Sequence, residues 1–214
     1  MSSRVPIAVL ISGSGTNLQA LLDAAADPMW PGEIAVVISN RKDARGLERA
    51  RKAGVPARWI PHRDRSRSEF EADILEALRE FEVEWVALAG FMRLLSADFL
   101  AHYVHRVLNI HPSLLPAFPG LRAQEQALAA GARVTGATVH LVDEGEDTGP
   151  IILQGAVPCH PGEDLDSLKS RILEVEHRLY PRALRWAVEG RLAVVDGALE
   201  VDLPEGEKLW LWTD

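Results

Sequence analysis

The sequence is short of the features that would set it apart from ordinary globular proteins. It holds one cysteine, Cys159, in 214 residues, so no internal disulfide can form and a reducing compartment is expected. Aromatic residues are scarce, and the tryptophans at 30, 59, 85, 186, 210 and 212 follow no helical stripe or cage spacing, which assigns them to packing. No apolar run reaches membrane-spanning length. The apolar N-terminal stretch, MSSRVPIAVLISGSG, leads into a helix signal and not a cleavage site, so a soluble cytoplasmic chain with no membrane partner is expected. There is no Lys/Arg-rich block. Residues 1–110 carry 14 basic and 14 acidic side chains and residues 111–214 carry 9 and 17, so the net charge of −8 lies wholly in the second half. A face that neutralises a phosphate backbone is not visible, and no nucleic-acid partner is expected. A small anionic ligand held by a few directed groups stays open.

What is present is an ordinary globular composition, 47% hydrophobic with 16 Gly and 13 Pro, which excludes collagen, low-complexity disorder and a long coiled coil. Without a repeat or a linker, residues 1–214 read as one domain, with a phosphate-binding α/β half over 1–110 and a second half over 111–214. Through the first half, short β-branched runs alternate with helical segments. Strands are predicted at Pro6–Ser12, Ile34–Ser39, Arg58–Ile60, Trp85–Gly90 and Arg106–Ile110, and helices at Asn17–Ala26, Ala44–Ala53, Ser66–Phe81 and Ser96–His102. Apolar runs without alternation imply strands buried on both faces, hence an α/β fold with a doubly wound, mostly parallel open sheet and helices on both faces. After residue 110 the pattern changes. Pro112, Pro116 and Pro119 mark a loop, a short helix spans Gln124–Ala130, and strands at Thr135–Val142 and Ile151–Val157 flank the acidic loop Asp143–Pro150. A long helix over Leu165–Glu189 contains Pro181, which should kink or interrupt it. The Asp196-Gly197 pair predicts a terminal hairpin, an antiparallel addition toward the C-terminus.

Ligands of open α/β sheets bind beyond the carboxyl ends of the strands, which singles out Ser12–Asn17, Gly90–Leu95, Asn109–Gly120 and Asp143–Pro150. SGSGTN (Ser12–Asn17) has two glycines for a tight turn, Ser, Thr and Asn suited to capping a helix, and amide hydrogens that make an anion site. Leu18 stands where a dinucleotide fingerprint needs its third glycine, and no GK[ST] ending follows. The same turn also reads as a plain strand-to-helix connection. In NIHPSLLPAFPG, Asn109 and His111 are two residues apart at a strand end and so project from one face. They offer an amide donor and a titratable imidazole, and equally a buried structural pair. DEGEDTGP lacks the spacing of a calcium loop, and its acids read as solvated except for Asp147, which lies near Asn109 and His111 if the sheet is continuous. A carboxylate beside an imidazole orients it and favours its protonated form.

Asn, His and Asp together suit acyl-type transfer without a protein nucleophile: the amide and imidazolium stabilise an oxyanion while the carboxylate orients the ring and assists proton movement. GxSxG is absent, and Cys159 has no basic or helix-start context to activate it.

With these residues and with LISGSGTNLQALLDA, SNRKDARGLERARKAGVP, LAGFMRLLS, LNIHPSLLPAFPGLRAQEQAL, GATVHLVDEGEDTGPIILQGAVP and EHRLYPRAL, nearly the whole chain resembles the formyltetrahydrofolate-dependent formyltransferase family. NIHPSLLP combined with SGSGTN points to the branch that acts on glycinamide ribonucleotide in purine synthesis. The resemblance implies a Rossmann-like formyltransferase fold and formyl transfer from 10-formyltetrahydrofolate, as cosubstrate, to the amine of glycinamide ribonucleotide, without metal or nucleoside triphosphate. It implies that Asn109, His111 and Asp147 are catalytic, that Gly15, Thr16 and Asn17 hold the substrate phosphate, and that Glu176 receives its ribose hydroxyls. Arg67, Met92, Arg93, Leu94, Leu95, Asn109, Asp143 and Glu144 would form the folate site. Thr16 replaces a frequent Ser, and Thr148 stands where a Gly often follows the catalytic Asp.

Taken without the resemblance, Arg67 is a solvated helix-start charge, Met92 a core residue, Glu176 an exposed helix acid and His140 a hydrogen-bonded structural neighbour of the site. Small-molecule substrates are the expected partners, with the choice between monomer and homodimer open. The competing activities are a folate deformylase, a transfer-RNA formyltransferase and a non-catalytic sugar-phosphate or folate binding module.

Overall fold

The computed structural model describes residues 4–212. The start of the N-terminal stretch, at residues 1–3, and the far end of the expected domain, at 213–214, lie outside the described residues. The chain divides into two compact units, residues 1–108 and 109–214.

The first unit repeats strand and helix: β1 (Val5–Ile11), α1 (Thr16–Ala25), β2 (Gly32–Ser39), α2 (Arg45–Lys52), β3 (Ala57–Trp59), α3 (Arg67–Glu80), β4 (Trp85–Leu88) and α4 (Ala97–His102). β1 pairs in parallel with β2 and with β4, and β2 in parallel with β3, so the order is β4-β1-β2-β3. Ile7 to Ile11 are buried without a break, as are Val36 to Ile38, which is the mark of strands covered on both faces. The chain adds β2 and β3 on one side of β1 and β4 on the other. The carboxyl end of β1 is therefore a switch point, where such sheets open a crevice. α3 begins in a capping box: Ser66 Oγ accepts from the Glu69 amide at 3.2 Å and the Glu69 carboxylate accepts from the Ser66 amide at 2.8 Å.

The second unit follows β5 (Val107–His111), which crosses its boundary, and contains α5 (Ala123–Ala129), β6 (Val134–Leu141), β7 (Ile151–Pro158), α6 (Leu165–Val188), β8 (Leu192–Val195), β9 (Ala198–Val201) and β10 (Trp210–Trp212). Its strands lie in the order β10-β7-β6-β5, with β6 antiparallel and β10 parallel to β7. α6 packs on β6 and β7. β8 and β9 form the expected hairpin, in which Val195 pairs with Ala198 and both loop residues, Asp196 and Gly197, have positive φ. The mostly parallel α/β architecture with antiparallel strands toward the C-terminus agrees with the sequence expectation.

Three expectations need correction. α6 runs unbroken through Pro181, because Leu179, Tyr180, Ala183 and Leu184 are buried on both sides of it. Their burial offsets the roughly 3 kcal/mol that an interior proline costs a helix. β10 was not expected: it follows the hairpin and acquires strand geometry only by pairing with β7. The tryptophans are not uniformly packing residues, since Trp30 and Trp186 are buried but Trp59, Trp210 and Trp212 are largely exposed.

Candidate active site

The SGSGTN turn lies at the switch point of the first unit. Gly15 takes a left-handed conformation, φ 71°, and is the N-cap of α1, with no side chain capping the helix. This corrects the expected capping by Ser, Thr or Asn: a left-handed Gly15 turns the chain into the helix by backbone geometry alone, which leaves the capping role with no side chain. Ser12, just before the turn, links the ends of three strands. Its hydroxyl donates to Asn40 Oδ1 after β2 at 2.7 Å and accepts from the Met92 amide after β4 at 2.9 Å. Around this junction opens a cavity of about 840 Å³, walled by residues 12–17 together with Asn40, Lys42, Trp59, Arg63, Met92 and Arg93, among others. Arg67, Leu94 and Leu95 are not in its wall.

Residues 91–96 continue from this cavity. Met92 and Leu94 are 63% and 60% exposed, whereas Phe91 and Leu95 are buried. Core packing of Met92, the reading from pattern alone, is thus overturned: the segment is anchored by alternate residues and presents the others outward. Arg67 is more than a solvated charge. Its Nη2 donates to the Leu94 carbonyl at 2.8 Å and its Nε to Glu71 at 3.2 Å.

In the second unit β5 delivers Asn109 and His111 to one carboxylate, as their spacing predicts. Asn109 Nδ2 donates to Asp147 Oδ1 at 3.4 Å, and His111 Nδ1 lies 3.1 Å from Asp147 Oδ2. The Gly120 amide donates to the same Oδ2 at 2.8 Å. Asp147 itself is held in the left-handed region at φ 56°, a strained conformation for a non-glycine residue and one that accumulates at functional sites. His140, expected as a neighbour, is bound into the cluster. Its Nδ1 faces the Leu141 carbonyl at 2.8 Å, and its Nε2 lies 3.1 Å from Asn109 Nδ2 and 3.6 Å from Asp147 Oδ1.

His111 stands between two acceptors, Asp147 at Nδ1 and the Phe118 carbonyl 2.9 Å from Nε2. Both ring nitrogens therefore face an oxygen that can accept a hydrogen bond. Burial pushes the Asp147 carboxyl up, but the His140 contact, the Gly120 amide and the charges of His111 and His140 outweigh it and hold the carboxyl below its ordinary value. The arrangement sets an ionised carboxylate against an imidazole ring and an amide, groups of the kind that can stabilise negative charge on an oxygen.

The remaining predicted residues are dispersed. Asp143 Oδ1 accepts from the Gly145 amide at 3.1 Å and the Thr148 hydroxyl at 2.7 Å, which closes the acidic loop on itself, and Glu144 is exposed. Glu176 lies on α6 and is only 7% exposed, contrary to the default of an exposed helix acid. Cys159 is buried and its thiol is pushed up by burial and by Glu163, against Arg171, the opposite of activation. Among the described residues no group of three or more His, Cys, Asp or Glu is arranged to hold a metal ion, and no helix is long and apolar enough to cross a membrane. Sequence reasoning missed the cavity wall after β2 and β3, formed by Asn40–Asp43, Trp59 and Pro61–Arg63. The strand-end rule, applied to those two strands as well, would have found it.

The fold and the cluster are those of an α/β group-transfer enzyme. Residues 5–184 match the formyl transferase family, and the chain belongs to that family. It is 43% identical over 197 residues to phosphoribosylglycinamide formyltransferase of Escherichia coli, covering 92% of this chain and 93% of that one. It is 51% identical over 192 residues, or 88% of its length, to the trifunctional purine biosynthetic protein adenosine-3 of Drosophila pseudoobscura, of which it spans 14%. Among solved structures, glycinamide ribonucleotide transformylase 1 of Symbiobacterium toebii superposes with a TM-score of 0.90 at 52% identity, covering 92% of this chain and 94% of that one. A formyltetrahydrofolate deformylase of Pseudomonas syringae superposes with a TM-score of 0.87 at 28% identity, covering 94% of this chain and 66% of that one.

Proposed function

We propose that this chain transfers the formyl group of 10-formyltetrahydrofolate to the primary amine of glycinamide ribonucleotide, a step of de novo purine biosynthesis, in the cytoplasm. Residues 1–214 act as a single formyltransferase domain. Gly15, Thr16 and Asn17 receive the phosphate and Glu176 the ribose hydroxyls, while Arg67, Met92, Arg93, Leu94, Leu95, Asn109, Asp143 and Glu144 serve the folate. The convergence of Asn109, His111 and the Gly120 amide on the Asp147 carboxylate carries this reading.

The substrate amine attacks the formyl carbon and forms a carbon–nitrogen bond, and the carbonyl pair moves onto oxygen. The Asn109 amide and the His111 imidazolium stabilise that oxyanion. The 3.4 Å contact from Asn109 to Asp147 is the longest of its bonds and the one a substrate oxygen would replace. As the oxyanion collapses, the bond from carbon to the folate nitrogen breaks and that nitrogen takes up a proton. The attacking amine loses one, and Asp147 assists the transfer through water. Formylated ribonucleotide and tetrahydrofolate leave.

A two-substrate assay tests this. Tetrahydrofolate should appear only when glycinamide ribonucleotide is supplied, in step with formylated product. Release of formate in the absence of the amine would instead make the chain a deformylase, and ligand binding without either product would make it a binding module.

A further inference from the structure

We infer that Glu71 is a positioning residue for folate binding, acting through Arg67 and through residues 92–95; this rests on the proposal above that those residues meet the folate. Glu71 lies one turn into α3, and its side chain is 6% exposed, unusual for a carboxylate and supportable only with full hydrogen bonding. Its two oxygens take three donors. Oε1 accepts from the Ser96 amide at 2.8 Å and from Arg67 Nε at 3.2 Å, and Oε2 accepts from the Ser96 hydroxyl. Arg67 in turn donates Nη2 to the Leu94 carbonyl.

One buried carboxylate therefore fixes the guanidinium and the end of the 91–96 segment in a single hydrogen-bonded unit. The Ser96 hydroxyl has a second task, accepting from the Phe99 amide at 3.1 Å as the N-cap of α4, so the carboxylate also sets where that helix begins. Phe70, the neighbour of Glu71 in sequence, supports the same segment: its ring stacks at 6.4 Å on Phe91, and the Arg93 guanidinium lies 5.6 Å from its centroid. The exposed Met92 and Leu94 are thus held by contacts behind them, with Nε and Nη2 of Arg67 already occupied and no hydrogen bond among the described residues engaging Nη1. Residues that must receive a flat ligand are preorganised by a carboxylate that does not itself need to touch it.

The test compares Glu71→Gln, Glu71→Ala and Arg67→Ala in the full chain by steady-state kinetics with both substrates, alongside thermal unfolding. Glu71→Gln keeps one acceptor oxygen and the volume, so the protein should stay folded if the alanine variant does not. The expected result is a KM for 10-formyltetrahydrofolate raised about tenfold or more, with the KM for glycinamide ribonucleotide and kcat within about twofold. If Arg67→Ala raises the folate KM and Glu71→Gln does not, the positioning role is wrong while the folate reading stands. If neither variant moves the folate KM, the folate assignment fails and the inference falls with it. A Glu71→Gln variant that loses thermal stability and changes both KM values and kcat alike would make Glu71 a general structural residue and overturn the proposal.

Discussion

Gly15 and Gly46 meet so closely that a Cβ on Gly15 would lie 2.7 Å from the Gly46 Cα. Backbone is thus packed on backbone where the first turn enters α1, and the Gly46 amide donates to the Gly13 carbonyl at 3.1 Å to hold it there. The contact explains why two glycines distant in sequence belong to one feature. α2 supports the turn from the side, and Arg49 Nε donates to the Ser14 carbonyl at 2.9 Å.

Gly15→Ala should therefore combine a left-handed alanine with a backbone clash and cost about 2 kcal/mol or more. For a chain of this size that is a fall in Tm of roughly 4–8 °C, with a raised KM for the phosphate-bearing substrate. A variant with unchanged Tm and KM would show that the turn can open without consequence.

Asn109→Ala and His111→Ala should each lower kcat by ~10² or more if, as proposed, each side chain stabilises the oxyanion. Circular dichroism should report an intact fold, because both side chains are polar and are held by hydrogen-bonding contacts to Asp147, not by apolar packing. Near-normal turnover in both variants would take the chemistry away from this cluster.

Asp147 bears on acid stability as well as on the proposed reaction. Its carboxyl lies below the ordinary value in the folded state, so the unfolded chain binds more protons between the two values and stability rises with pH there. The contribution is complete above the unfolded value of about 3.9 and is lost as the pH falls through the folded value. Asp147→Asn should flatten the stability profile below about pH 4 and lower turnover by ~10² or more. Denaturant titrations of both proteins between pH 6 and about pH 3 check the first part, and parallel curves would contradict it.

Ser12 has two partners that lose their bonds together. Ser12→Ala would leave the buried Asn40 Oδ1 and the part-buried Met92 amide without this partner, at a cost of about 1–3 kcal/mol. The urea midpoint should fall with no change in m. A shift below about 0.5 kcal/mol would mean that neighbouring groups or water replace the hydroxyl.

The alternation of buried apolar runs with helical segments was enough to read most elements from the sequence, because burial on both faces of a parallel strand leaves no alternation in its residues. The Asp196-Gly197 hairpin was equally legible, since a two-residue loop demands residues that tolerate positive φ. β10 was not, because Trp210–Trp212 become a strand only against β7, and Pro181 misled because tertiary packing overrides a local breaker. Among the candidate site residues, Asn109 and His111 were legible as a same-face pair by their spacing. Glu71 left no mark, as an acid in a helix looks the same whether it faces solvent or receives three donors.

By itself the sequence determined which chemistry is available: a glycine turn at the first strand end, an amide and an imidazole two residues apart, and an acid after a later strand. Residue type and short-range spacing are written directly in the chain. Only the tertiary structure decided that Asp147, 36 positions after His111, meets both ring and amide, that His140 joins them, and that Arg67 turns toward Leu94 and not solvent. Those choices depend on which strands and helices pack together, and hydrogen bonds between distant residues form only once the apolar core has brought their elements into contact.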